Sequence, residues 1–244
     1  MRNIKLIIEY DGTNYGGWQK QKNNKTIQEE VEKAIYKITK ENVELNGSSR
    51  TDAGVHARGM VANFRTNSKV PSDRFRDAIN TKLPDDIAII KSEEVEEDFH
   101  SRYCCKGKMY SYTIVNRAEK VALKKNYSCH VKEKLNFDYM KEASKYFIGT
   151  HDFKAFKSSG SSVKTSIRTI SKLDLIKTGD KIKVYIAADG FLYNMVRIIV
   201  GTLIEVGKGK IRPDDIQEII NLGDRSKSGP CISPSGLVLE EVYY

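Results

Sequence analysis

The chain has 244 residues, with 41 lysines and arginines against 32 aspartates and glutamates and a formal net charge of +9. At 39% hydrophobic and 30% charged residues it is too apolar for a disordered chain and too polar for an integral membrane protein, so a soluble globular protein of one large or two mid-sized domains is expected. The charge is uneven: residues 1 to 100 hold 16 basic and 17 acidic residues, residues 101 to 172 hold 16 and 5, and that second stretch favours an acidic partner.

The N-terminal Met1-Arg-Asn-Ile-Lys5 runs into a β-prone segment, Ile4 to Tyr10, without the apolar stretch and cleavage site of a secretory signal. Asp11-Gly12 and Gly16-Gly17 then supply turn chemistry. Thr26 with Glu29 has the form of a capping box, and Ile27, Val31, Ala34, Ile35 and Ile38 keep helical spacing behind it. Strands are expected at 42–49 and 59–66, a helix from Pro71 to about Asn80, and a strand at Ile87 to Ser92.

The second half repeats that order. Strands are expected at Lys108 to Asn116, near 167–177 and 181–188, and at Leu237 to Tyr243; helices at Phe137 to Ile148, from Phe191, and in an insertion at Pro213 to Leu222. Ser158 to Ser162 reads as a mobile loop inside the basic stretch.

Two successive β-α-β-β-α-β patterns predict an α+β fold of two ferredoxin-like halves, with joined, mostly antiparallel sheets and a central active-site cleft. The expected halves are residues 1–105, carrying an aspartate loop, and 106–244, carrying the basic stretch and an apolar helix.

The four cysteines, Cys104, Cys105, Cys129 and Cys231, form no C-x-x-C pair and have no histidines placed to complete a zinc tetrad. They read as reduced thiols of a cytoplasmic protein. His56, His100, His130 and His151 lack a partner at triad or ligand spacing and receive no catalytic role. Tyr103, Tyr110, Tyr112, Tyr127, Phe153 and Phe156 interleave with the bases of the second half, as a nucleic-acid groove requires, although such residues also fill cores.

Asp52 lies in Gly47-Ser-Ser-Arg-Thr-Asp-Ala-Gly-Val-His56, beside Arg50 and a small Ala-Gly turn that lets a substrate approach. No second acid stands at a metal-binding or two-carboxylate spacing, so a catalytic Asp52 would act as a nucleophile; read alone, the string is a turn. The segment from Gly190 to Val206 is apolar on nearly every face yet carries Arg197. A guanidinium on such a helix calls for an acid elsewhere or snorkels to solvent, and Asp52 is the candidate that it would keep ionised. Alternation places Tyr110 and Tyr112 on one strand face.

Taken together, Tyr10-Asp-Gly-Thr-Asn-Tyr-Gly-Gly-Trp-Gln19, Arg50-Thr-Asp-Ala-Gly-Val-His-Ala57, Gly149-Thr-His-Asp-Phe153, Gly190-Phe-Leu-Tyr-Asn-Met-Val-Arg197 and Gly236-Leu-Val-Leu-Glu-Glu-Val-Tyr243 resemble the tRNA pseudouridine synthase A family along essentially the whole chain. The resemblance implies isomerisation of uridine to pseudouridine, with no cofactor and no metal. It assigns Asp52 as nucleophile, Arg197 as the arginine paired with it, Tyr110 as the tyrosine that packs on the uracil, and Arg58 as a basic residue near the flipped nucleotide. It also implies a tRNA anticodon stem-loop as partner, at positions 38 to 40, a homodimer, and no membrane association. Ser48-Ser49 and Cys231-Ile-Ser-Pro-Ser235 depart from the family pattern without removing a catalytic group. A noncatalytic RNA-binding module and an aspartate-nucleophile hydrolase are the rival readings. The first has no need of Asp52, Tyr110 and Arg197 together, and the second lacks metal-binding carboxylates beside Asp52.

Overall fold

The computed structural model describes residues 1–160 and 163–244; Ser161 and Ser162, the end of the expected mobile loop, lie outside the described residues. In chain order the elements are β1 (Arg2–Tyr10), α1 (Ile27–Thr39), β2 (Asn46–Gly47), β3 (His56–Thr66), α2 (Phe75–Asn80), β4 (Ile87–Val95), β5 (Gly107–Asn116), β6 (Cys129–Val131), α3 (Phe137–Ser144), β7 (Gly149–Asp152), β8 (Ile167–Thr178), β9 (Lys181–Ala188), α4 (Met195–Gly207), α5 (Asp215–Leu222) and β10 (Leu237–Tyr243). The α+β architecture divides into two units, Met1–Lys106 with Val238–Tyr244, and Gly107–Leu237.

In the first unit β1 lies between β4 and β3, antiparallel to both, and β2 extends β3. This is the β4-β1-β3-β2 order of a ferredoxin-like half. Ile4, Leu6 and Ile8 alternate onto one face, are fully buried, and stand opposite Phe64, Ala62 and Met60. Each such buried side chain contributes about 1.5–3 kcal/mol. The α1 stripe of Ile27, Val31, Ala34 and Ile35 is buried, α1 packs on α2, and Phe75 of α2 meets Phe64 edge to face at 5.5 Å. β10 joins β3 in parallel, Val238 opposite His56 and Leu239 opposite Ala57.

Two local expectations are corrected here. The Thr26–Glu29 capping box does not form: Thr26 makes no side-chain cap, and Glu29 pairs with Lys33 at 2.8 Å. The first amides of α1 are taken instead by the preceding loop, Ile27 N–H donating to Gly17 O and Gln28 N–H to Trp18 O. The strand at 42–49 shrinks to Asn46–Gly47 because side chains of α1 engage the Leu45 backbone: its N–H donates to Glu32, and Gln28 donates to its carbonyl.

The second unit is an antiparallel β5-β9-β8-β7 sheet, with β6 added in parallel at the end of β5. β6 and β7 are too short to leave a periodic signal in the sequence. Tyr112 and Ile114 of β5 pair with Val184 and Ile182 of β9 in a buried layer. α3 crosses α4 closely, since a Cβ at Gly207 would lie 2.9 Å from the Met140 sulfur. The helix expected from Phe191 begins at Met195, because Asn194 takes a left-handed conformation with φ of 61°. Arg197 therefore stands in the first turn of α4. Among the described residues, no helix is long and apolar enough to cross a membrane.

Candidate active site

Asp52 sits in a turn that the first loop of the same unit supports from behind. Its carbonyl accepts from Val55 N–H at 3.1 Å, and Gly54, with φ of 76°, closes that turn. Thr51 is pinned by Trp18, whose N–H donates to its carbonyl at 3.0 Å. Two glycines make the approach possible: a Cβ at Gly17 would come within 2.5 Å of Thr51 O, and one at Gly12 within 2.0 Å of Val55 O. Gly17 also has φ of 101°, a conformation that disfavours any side chain. The string that reads alone as a turn is thus a turn held in place by the loop before it, with Asp52 partly exposed on it.

His56, at the end of the motif, is buried. Its Nδ1 lies 3.1 Å from Gly12 N–H and 3.0 Å from an Asp11 carboxylate oxygen. It joins the same loop–loop contact. Tyr15 accepts from Gly54 N–H through its carbonyl and ties the loop to the turn before β4 by donating its hydroxyl to Asp86; burial, then the Asp86 hydrogen bond, keeps that phenol well above its ordinary pKa and protonated. Ser48, one of the departures, is buried, with its N–H on Val61 O at 2.8 Å and its hydroxyl near the Met60 sulfur, so it serves packing. Arg58, on β3, is exposed and pairs with Glu240 of β10 at 3.2 Å.

In the second unit Arg197 is half-buried. Its Nε donates to Ile232 O and its Nη1 to the Asn194 side-chain oxygen, each at 2.7 Å. The neighbouring carbonyl, Ser233 O, accepts from the Tyr112 hydroxyl at 2.6 Å. Burial above all, then Cys129, raises the Tyr112 pKa well beyond the ordinary phenol range, so the hydroxyl remains a donor. Burial also raises the Cys129 thiol above its ordinary pKa. The 229–236 run is pressed against its supports: a Cβ at Gly201 would lie 2.0 Å from Pro230 O, and one at Gly236 2.6 Å from the Tyr112 ring. The Cys231–Ser235 departure therefore changes side chains on a segment whose backbone carbonyls hold Arg197 and Tyr112, while the Ser235 hydroxyl adds a bond of its own to Ser128 O.

Tyr110 is nearly buried and meets Phe191 edge to face at 5.2 Å. Of the aromatics interleaved with the bases, Phe153, Phe156 and Tyr112 are core residues, whereas Tyr103 and Tyr127 are exposed. His151 is occupied by Ile148 O, and Asp152 caps the 3-10 turn Phe153–Phe156. Asp52 and Arg58 thus belong to the first unit, Tyr110 and Arg197 to the second. The sequence reading missed the supports: Asn194, the Ile232 carbonyl, and the contact of Gly12 and Gly17 with the Asp52 turn. The glycine cluster was the only local signal for that contact, and it reads as turn chemistry alone.

A family model described as tRNA pseudouridine synthase matches residues 6–104 and 143–244, stretches that include Asp52, Arg58 and Arg197, with Tyr110 lying between them. Full-length relatives span that interval. The tRNA pseudouridine synthase A 2 of Clostridium perfringens is 61% identical over 244 residues, with 100% of both chains covered. The tRNA pseudouridine synthase A of Clostridium botulinum (strain Eklund 17B / Type B) is 63% identical and that of Acetivibrio thermocellus 59%, both again with 100% of each chain covered. The α+β fold, taken with these relatives, is that of an isomerase of the pseudouridine synthase class. The chain belongs to the tRNA pseudouridine synthase family.

Proposed function

We propose that this isomerase acts on uridines of the tRNA anticodon arm, at positions 38 to 40, with Asp52 as its nucleophile. In this reaction the N1–C1′ bond breaks, the uracil turns, C5 bonds to C1′, and the C5 hydrogen leaves as a proton while N1 gains one. Atoms and charge balance without a cofactor. The observation that carries the reading is the Asp52 turn, a single carboxylate on backbone fixed from both sides, as in-place attack requires.

Arg197 is the guanidinium assigned to keep that carboxylate ionised and oriented, and Tyr110 the ring that stacks on the turning uracil. Arg58 lies nearest the displaced nucleotides. The basic stretch from 101 to 172 grips phosphates outside the site. In support, Lys124 and Lys125 are exposed and carry no ion pair among the described residues, beside exposed Tyr127. The enzyme works in the cytoplasm as a homodimer.

The test is tritium release from a C5-tritiated, unmodified anticodon-arm transcript, with folding followed by circular dichroism. Wild type is expected to release tritium, and Asp52→Asn to release it at least about 1000-fold more slowly. A folded wild type that binds the RNA but releases nothing would overturn the reading in favour of a binding module.

A further inference from the structure

We infer that Tyr10 is a positioning residue for the isomerisation: its hydrogen bond to Thr51 fixes the residue immediately before Asp52 and so aims the carboxylate, an inference that rests on Asp52 being the nucleophile as proposed above. The Tyr10 and Thr51 hydroxyls lie 2.6 Å apart. Both residues are buried, at 3% and 7% exposure. Tyr10 closes β1 just beyond a register irregularity that follows Ile8, and its ring is 6.2 Å from that of Trp18.

The carbonyl and the hydroxyl of Thr51 are held separately, one from the loop after β1 and the other from the end of β1 itself. Trp18 N–H takes its carbonyl, Tyr10 its hydroxyl, and Gly17 leaves room for the approach. The carbonyl bond fixes where the Thr51–Asp52 peptide lies. The side-chain bond anchors the Thr51 end of that peptide, so the plane from which the Asp52 Cα–Cβ bond leaves is held at two points rather than one. Valine has nearly the shape of threonine but cannot make this bond, so the buried Thr51 hydroxyl has its use in the hydrogen bond it makes. Tyr10 is well suited to supply that bond, because its rigid ring is locked by burial and its hydroxyl reaches across from the end of β1. Displacement of a reacting group by an ångström can cost about 100-fold in rate, which is the scale on which such a support would be felt.

The experiment compares wild type, Asp52→Asn, Tyr10→Phe, Thr51→Val, Thr51→Ser and the Tyr10→Phe/Thr51→Val pair by tritium release in steady state and single turnover, with near-UV circular dichroism as the check on folding. Tyr10→Phe and Thr51→Val are each expected to lower kcat about tenfold while leaving KM for the transcript within about twofold. The double variant should be no slower than the slower single, because the same bond is missing in all three. Thr51→Ser, which keeps the hydroxyl, should return kcat to within about twofold of wild type. A purely structural role would lower stability without lowering kcat in the protein that folds, whereas the serine variant shows that any loss at Thr51→Val belongs to the hydroxyl.

Folded Tyr10→Phe and Thr51→Val proteins with wild-type kcat, or a Thr51→Ser variant as slow as Thr51→Val, would overturn the inference while release abolished by Asp52→Asn left the functional reading standing. If Tyr10→Phe does not fold, the Thr51→Val and Thr51→Ser pair decides on the same criterion. No release from folded wild type would remove the functional reading and this inference with it.

Discussion

The Asp52 turn and the 229–236 run are both backbone segments pressed against glycines, yet they are used differently. In the first unit the pressed segment itself bears Asp52, the proposed nucleophile, so Gly12 and Gly17 act directly on where that residue stands. In the second unit the pressed segment serves Arg197 and Tyr112 as an acceptor: Arg197 stands on α4 and reaches Ile232 O, while Tyr112 reaches Ser233 O. A segment that works through its carbonyls tolerates changes of side chain, which is why the departures at Cys231–Ser235 leave the Arg197 support intact. The two regions also divide the charge. The first balances basic residues internally, through pairs such as Arg2–Glu94, Lys5–Glu93 and Lys33–Glu29, whereas the second keeps the excess.

The largest effect expected outside Asp52 itself comes from filling the glycine contact. Gly12→Ala places a Cβ 2.0 Å from Val55 O, where only backbone can yield, and should lower unfolding free energy in urea by about 3 kcal/mol or more. Gly201→Ala meets Pro230 O at the same 2.0 Å, but the better helix propensity of alanine offsets part of the strain, and about 2 kcal/mol is expected. Gly190→Ala, whose Cβ would meet nothing nearer than Arg168 Nε at 3.5 Å, should stay within about 0.5 kcal/mol. Equal losses at Gly12 and Gly190 would break the comparison.

A smaller effect is expected from Arg197→Lys. One ammonium cannot reproduce the Nε and Nη1 bonds to Ile232 O and Asn194 while also serving an acid, so kcat should fall about 30-fold with stability nearly unchanged. Measured kcat at the wild-type level would show that charge alone suffices there. The smallest effect tests the division of charge. Replacing Lys124 and Lys125 with alanine should make the dependence of log binding constant on log salt shallower by about 1 for each phosphate no longer neutralised, with kcat retained. Replacing Lys33, already engaged by Glu29 and Glu30, should leave that slope unchanged.

Much of this molecule is legible along the chain. The alternation of Ile4, Leu6 and Ile8, the helical stripe from Ile27 to Ile35, and the strand at Lys108–Asn116 follow from local periodicity, because a strand or helix exposes its buried face at a fixed spacing. The sequence also singles out Asp52, beside its small neighbours, and Arg197, isolated in an apolar segment, but read alone the Asp52 string is a turn, and the roles of both are those proposed above. The shrinkage of β2 and the late start of α4 were not legible. The first depends on Glu32 and Gln28 competing for the Leu45 backbone, the second on a left-handed Asn194.

The sequence by itself therefore determined most of the longer strands and helices and the faces they bury, where the charge excess lies, and which family the motifs resemble. Only the tertiary structure decided that Gly12 and Gly17 back the Asp52 turn, that Ile232 and Ser233 serve through their carbonyls, and that Val238–Tyr244 returns to pair with β3. The physical reason is range. Periodicity and capping act within a few residues and leave a pattern in the letters, whereas a carbonyl acceptor has no letter of its own, and a glycine shows its use only when the backbone it touches is brought beside it.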